Sequence, residues 1–204
     1  MNWDDFLGPY KQAVEELKVK LKGMRSQFER ENVHSPIEFV TGRVKPIASI
    51  LEKAETKGIP MDRIGEEIQD IAGLRMMCQF VDDIKYVVDL LKSRNDFEVV
   101  EERDYISKVK ISGYRSYHVV IKYPVQTIHG EKQILAEIQI RTLAMNFWAT
   151  IEHSLNYKYK GQFPADMRKR LHRAAEAAYW LDEEMSNIRL EMQEAQGVFS
   201  RKKE

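Results

Sequence analysis

Apolar residues near the start of the chain recur in alternating steps of three and four. Leu7, Tyr10, Val14, Leu17, Leu21, Met24 and Phe28 fall on one stripe, and the spacing predicts a long helix over residues 3–31. The far end repeats the pattern with Leu171, Ala174, Ala178, Leu181, Met185, Ile188 and Met192, predicting a helix near 166–196. Each stripe has two possible partners, the chain's own core or another subunit. Two such arms are generous for a core this small. The terminal RKKE reads as a frayed, solvated tail.

Between the arms the rhythm turns α/β. Ser35-Pro36 with Glu38 has the form of a helix start, while the β-branched EFVTGRVK that overlaps it reads equally well as a short strand. Pro46 opens a helix over 46–57 that ends before Gly58. A strand at 73–80, a helix at 83–94 and a strand near 97–103 follow. The apolar stretch 117–125 and the alternating stretch 132–141 flank a loop centred on His129-Gly130, which predicts an antiparallel hairpin. A helix near 143–160 leads to the C-terminal arm. The expected fold is α/β, a mixed sheet of about five strands flanked by helices, with long helices at both ends. With no repeat, low-complexity tract or flexible linker, the chain reads as one unit. Its parts are an N-terminal helix (1–33), an α/β core (34–160) and a helical arm (161–204).

Composition narrows the class. At 204 residues, with 43% hydrophobic and 31% charged positions, the chain suits a soluble domain with a proper core. Lys+Arg and Asp+Glu both number 32, so no general attraction to polyanions exists and any basic site must be local. Cys78 is the only cysteine, which excludes an intrachain disulfide and a cysteine-only metal site. Its setting, LRMMCQF, is that of a buried, inert thiol. No apolar run approaches the roughly 18 residues of a membrane-spanning helix. The acidic start MNWDDFLGPYKQ lacks the basic region of a secretion signal, so a cytoplasmic location is expected.

Candidate chemistry falls in four places. Arg43 and Lys45 share a strand face, and Lys53 lies about two helical turns beyond Pro46. Guanidinium groups stack on bases and chelate phosphates while lysines act as point charges, a division suited to a nucleoside triphosphate. A solvated basic surface is the competing reading. In QDIAGLR, Asp70 precedes a strand, as a Mg²⁺ ligand often does, Gly73 permits close approach and Arg75 lies within the strand. A cap or turn role competes for Asp70. Third come Arg103, Lys108, Lys110 and the loop GYRSYH: Tyr114 offers a stacking face, and Lys110, Arg115 and His118 can bind phosphate oxygens. Tyr117 has the opposite parity and suits the core. Fourth, AEIQIR aims Glu137, Gln139 and Arg141 to one side of a strand. Burial would raise the Glu137 pKa unless a cation compensates, and the group could bind Mg²⁺ or accept a proton from a hydroxyl. A structural salt bridge to Arg141 or to a cation of another strand competes. Glu152 and His153 read as structural hydrogen-bonding groups.

DIAGLR (70–75), SGYRSYH (112–118), EIQIRT (137–142) and NFWATIEHSLNYKYKG (146–161) resemble, in that order, the synthetase motifs of the RelA/SpoT alarmone family. With HSPIEFVTGRVKPIASILEK (34–53) and the terminal helices, the chain is most similar to the RelQ-type small alarmone synthetases. The resemblance implies a nucleotidyltransferase-like fold and Mg²⁺-dependent transfer of the β,γ-pyrophosphate of ATP to the 3′-hydroxyl of GDP or GTP. The products would be ppGpp or pppGpp and AMP, made in the stringent response. It also implies roles: Arg43 and Arg75 sandwich adenine, Lys45 and Lys53 hold the ATP phosphates, and Asp70 holds Mg²⁺. Tyr114 stacks on guanine, Arg103, Lys110 and His118 lie near phosphates, Glu137 acts on the acceptor hydroxyl or metal, and Gln139 supports the acceptor. The chain has no room for the hydrolase and regulatory domains of the family's long members and contains no His-Asp dipeptide, so synthesis without hydrolysis is expected. Relatives of this type are homotetramers with an allosteric pppGpp site, whose positions match Lys22, Phe39, Thr41 and Asn146. Read without the resemblance, Phe39 is core and Lys22 a solvated flank.

Two other functions compete. The basic, aromatic loop could hold single-stranded RNA, beside or instead of catalysis. A catalytically dead scaffold is the other, against which the presence of both Asp70 and Glu137 argues. Hairpin register is open by one residue, and it decides whether His118 shares a sheet face with Glu137.

Overall fold

A computed structural model describes residues 2–158 and 164–201, with side chains described for 2–155 and 164–196. The order is α1 (Trp3–Arg30), β1 (Phe39–Val44), α2 (Ile47–Lys57), α3 (Ile64–Glu67), β2 (Ala72–Cys78), α4 (Val81–Lys92), β3 (Glu98–Asp104), β4 (Tyr117–Thr127), β5 (Gly130–Thr142), α5 (Leu143–Lys158) and α6 (Ala165–Arg201). The strands form one mixed sheet in the order β1-β2-β5-β4-β3, with β2 and β5 parallel and every other pair antiparallel. The two predicted arms, the hairpin and the α/β middle are all present.

Local chemistry explains the boundaries. The Asn2 side chain accepts the Asp4 N–H at 3.1 Å, and Asp4 and Asp5 sit at the positive end of α1. Around Ser35 the strand reading prevails over the helix start. Ser35 Oγ accepts the Ile37 N–H at 3.2 Å, and Glu38 N–H already pairs with Met77 O at 2.7 Å. Helix α2 stops where Gly58 takes φ +65°, which frees its N–H to cap Glu55 O at 3.1 Å. Helix α4 begins two residues earlier than expected, and the Asp83 carboxylate accepts the Phe80 N–H at 3.4 Å there.

The arms diverge. Leu7, Tyr10, Ala13, Val14, Leu17, Leu21 and Met24 of α1 are all buried, and Phe28 meets the Tyr86 ring edge-on. On α6 the stripe residues Leu181, Met185, Ile188 and Met192 are exposed, and it is Ala175 and Asp182 that are buried.

Strand parity splits the sheet into an apolar and a polar face. Ala72, Leu74 and Met76 of β2 align with Ala136, Ile138 and Ile140 of β5, and Val119 and Ile121 continue the row on β4. These side chains join one core with α1 and with Ile84, Val87, Val88 and Leu91 of α4. Cys78 belongs to this core, and burial pushes its thiol pKa far up, which removes the thiolate needed for reactivity. The opposite face carries the chemistry.

Candidate active site

Cross-strand register gathers the predicted residues on the polar face. Thr41 pairs with Arg75 and Arg43 with Gly73, while Gly73 and Arg75 pair with Glu137 and Gln139 across the parallel ladder. His118 lies opposite Gln139 on β4, and Arg103 lies opposite His118 on β3. Directly opposed residues point the same way, so the register question is answered: His118 shares the face of Glu137.

One side of this face is cationic. Thr41, Arg43, Lys45, Asp70, Gly73, Arg75, Glu137 and Gln139 line a cleft of about 160 Å³. A Cβ on Gly73 would meet only Arg43 O at 3.7 Å and Asp70 O at 3.9 Å, both ordinary contacts, so the open space there belongs to the cleft. Asp70 is gripped by Lys45 (3.0 Å) and Lys53 (2.8 Å), which unites three of the predicted residues, one just after β1, one on α2 and one just before β2. Burial pushes the Asp70 carboxyl up, but the two ammonium groups outweigh it and hold it below the usual range. Arg75 is held below the usual guanidinium value by burial and by the like charges of Arg141 and Arg43. Mutually repelling cations around an open cleft favour an anionic occupant.

The other side is a closed hydrogen-bonded ring. Glu137, only 6% exposed, faces His118 Nδ1 through Oε1 at 3.0 Å and accepts Gln139 Nε2 at Oε2 at 2.8 Å. His118 Nε2 lies 2.8 Å from Tyr114 Oη. Arg141 closes the ring, donating from Nη2 to Tyr114 Oη at 2.6 Å and to Gln139 Oε1 at 2.8 Å. Of the two structural salt bridges weighed for Glu137, the one to Arg141 is replaced by this route through Gln139, while a cation of another strand, Arg103, does come near. Burial raises the Glu137 pKa, but the hydrogen bonds from His118 and Gln139 bring it below the ordinary value. Arg103 Nη1 stands 3.6 Å from Glu137 Oε1, and Arg103 is otherwise paired with Glu101 at 2.7 Å and bonded to Gln69. Lys110 lies over the rings of Tyr105 (4.2 Å) and Tyr114 (4.8 Å).

Some expectations are relocated. Arg115 turns from the ring toward α6, pairing with Glu176 at 3.1 Å and lying over the Tyr179 ring at 4.5 Å. The same loop needs glycine at 113, where φ is +89° and a Cβ would stand 2.5 Å from that of Ala175. Phe39 is 40% exposed on the polar side of edge strand β1, so the reading of it as core is corrected. Thr41 is exposed nearby, Lys22 is exposed on α1, and Asn146 Oδ1 accepts Arg141 Nη1 at 3.5 Å. Tyr117 points to the apolar side and donates to Glu102 at 2.7 Å. Sequence reasoning missed Tyr105, which stacks edge-on with Tyr114 and His118, because nothing in EERDYISK marks it. A larger hollow of about 1020 Å³, lined by Ile111, Ser112, Trp148 and residues 168–173, contains none of the predicted site residues.

Known proteins repeat this arrangement of elements. Residues 42–162 match the family model described as the region found in RelA / SpoT proteins. The chain is 69% identical to the GTP pyrophosphokinase YjbM of Bacillus subtilis (strain 168) over 98% of its own length and 95% of that protein. It superposes with a TM-score of 0.91 on the small alarmone synthetase 1 from Bacillus subtilis bound to its product pppGpp, at 68% identity, covering 94% of this chain and 98% of that one. The same synthetase bound to AMPCPP matches with a TM-score of 0.84 at 64% identity, with the same coverage. The family match spans the cleft and the ring together, and on that ground the chain belongs to the RelA/SpoT family.

Proposed function

We infer that this protein is a GTP pyrophosphokinase, moving the β,γ-pyrophosphate of ATP to the 3′-hydroxyl of GDP or GTP to make ppGpp or pppGpp and AMP. The observation that carries the reading is the place of Glu137, at the seam where the cationic cleft meets the closed ring. Two polyanions must be brought into line there, so neutralisation and positioning are the main tasks. Support for the substrate classes comes from relatives described with pppGpp and with AMPCPP.

In this reading Arg43 and Arg75 hold adenine between them, and Lys45 and Lys53 meet the phosphates. Tyr114 stacks on guanine, Arg103 and Lys110 neutralise acceptor phosphates with His118 beside them, and Gln139 steadies the acceptor. Glu137 receives the proton of the 3′-hydroxyl as its oxygen attacks the β-phosphorus and AMP leaves. A carboxylate kept ionised by His118 and Gln139 is ready to do so at neutral pH. Arg115 serves the acceptor loop through its hold on α6 rather than through direct contact with phosphate.

A divalent metal fits the donor set, and Mg²⁺ fits best. Asp70 and Glu137 line one cleft, both are held ionised, and two carboxylates completed by phosphate oxygens form a hard-oxygen set. When bound, such an ion supplies charge neutralisation at the phosphates. The exposed stripe on α6 and Phe147 on α5 support assembly through these helices, in line with the homotetramer implied by family resemblance. Lys22, Phe39, Thr41 and Asn146 would then form the pppGpp regulatory site. Among the described residues no helix is long and apolar enough to cross a membrane, which agrees with a cytoplasmic enzyme.

Purified protein incubated with γ-labelled ATP, Mg²⁺ and GDP tests the reading. Label is expected in a guanosine 3′-pyrophosphate. Tight RNA binding without any labelled nucleotide product would sink it.

A further inference from the structure

Arg141 is a buried cation whose hydrogen-bond acceptors are all neutral. It is 4% exposed, and its donors reach Ser116 Oγ (3.2 Å), Asn146 Oδ1 (3.5 Å), Tyr114 Oη (2.6 Å) and Gln139 Oε1 (2.8 Å). Burying a guanidinium without a carboxylate is costly, and a packing role alone is better met by an apolar side chain. What the guanidinium adds is direction, because it can only donate.

That direction propagates along two branches. A glutamine amide has an accepting and a donating end. With Gln139 Oε1 committed to Arg141, its Nε2 must face Glu137, and it lies 2.8 Å from Oε2. On the second branch Tyr114 Oη accepts from Arg141, so the phenolic proton is free to go to His118 Nε2 at 2.8 Å. The imidazole proton then sits on Nδ1 and is donated to Glu137 Oε1 at 3.0 Å. The branches end on different oxygens of the same carboxylate.

We propose that Arg141 is a positioning residue for the acceptor half: by donating to both Tyr114 and Gln139 it sets the polarity of the ring, so that Glu137 receives a hydrogen bond on each oxygen. The proposal rests on the pyrophosphoryl-transfer reading of Glu137. Both bonds leave Nη2, and the plane that holds Nη2 between its acceptors is fixed by Nε on Ser116 and Nη1 on Asn146; lysine keeps the charge but lacks that plane. Misorientation of the amide or the imidazole would leave an acceptor facing the carboxylate and turn Glu137 away from the attacking hydroxyl.

The test joins kinetics of Arg141→Lys with ¹⁵N NMR of histidine-labelled protein. For Arg141→Lys, kcat is expected to fall about 10- to 100-fold, as loss of correct placement does. KM for ATP should stay within about twofold, since Arg141 donates to none of Arg43, Lys45, Lys53 and Arg75. The wild-type spectrum should show His118 with its proton on Nδ1 alone, and the variant should lose that preference. An unchanged kcat, or equal rises in both KM values, would overturn the proposal. So would a wild-type His118 protonated on Nε2, in either the neutral or the charged ring, and this result is available even if Arg141→Lys fails to fold. Absence of any labelled guanosine product from the wild type would instead remove the functional reading, while the spectrum would still report the ring's polarity.

Discussion

Arg43 and Arg141 stand on the same sheet face and solve opposite problems. Arg43 is exposed at the edge strand and lines the cleft beside Arg75, whose own cationic form is disfavoured by its neighbours. Arg141 is buried under the acceptor loop with every terminal nitrogen engaged by protein oxygens. In the proposed reading the donor half is an electrostatic trap that a ligand completes, whereas the acceptor half is complete beforehand and fixes geometry. Capture tolerates small displacements; in-line attack does not.

Substitutions should separate the halves. The largest effect is expected at their junction. Glu137→Gln should lower kcat about 10³-fold while leaving the melting temperature almost unchanged, measured by product formation from labelled ATP and by thermal melts. Arg43→Ala and Arg75→Ala should each raise KM for ATP about 10- to 100-fold, the loss of one stacking partner, and leave KM for GDP alone. Rising ionic strength should weaken ATP more than GDP for the same reason. If GDP suffers equally, the contrast between trap and frame is wrong.

The third expectation concerns pH. His118 is the main group holding Glu137 below its ordinary pKa, against burial, which pushes it up. A depressed carboxylate adds stability above its unfolded pKa and loses it as pH falls through the folded value. Removing the imidazole leaves burial dominant. His118→Leu should therefore move the acid limb of kcat/KM toward neutral pH, with the loss of rate greatest on the acid side. A profile that falls evenly at all pH values would assign His118 to binding instead.

The smallest expectation lies on α6. Asp182 is buried against Thr142 Oγ1 (2.6 Å), and burial pushes its pKa up to about 6. Here the sign reverses. Ionisation on raising the pH through that value costs stability, because the unfolded chain ionises more readily. Asp182→Asn should raise the melting temperature by roughly 2–4 °C at mildly alkaline pH and by nothing in acid, read by calorimetry.

The two arms show how far sequence patterns reach. Their stripes look alike, yet α1 buries its stripe against β1 and the sheet while α6 leaves most of its own outside. A heptad pattern records that a face is apolar and is silent about what covers it. The candidate site was legible to a similar depth. Alternation in AEIQIR told which side chains share a face, and the basic and aromatic residues of the other motifs told their chemical class. Tyr105 and the engagement of Arg115 with α6 were not legible, since both depend on contacts between distant segments.

The sequence by itself determined the period of each element, the polar face of β5, the hairpin and the family resemblance. These follow from side-chain spacing and composition, which are local. Tertiary structure alone decided that His118 faces Glu137, that Lys45 and Lys53 converge on Asp70, and that Arg141 reaches Tyr114 and Gln139 but not Glu137. The physical reason is register. In a strand a shift of one residue reverses every side chain, and only packing of the apolar face against α1 and α4 fixes that choice.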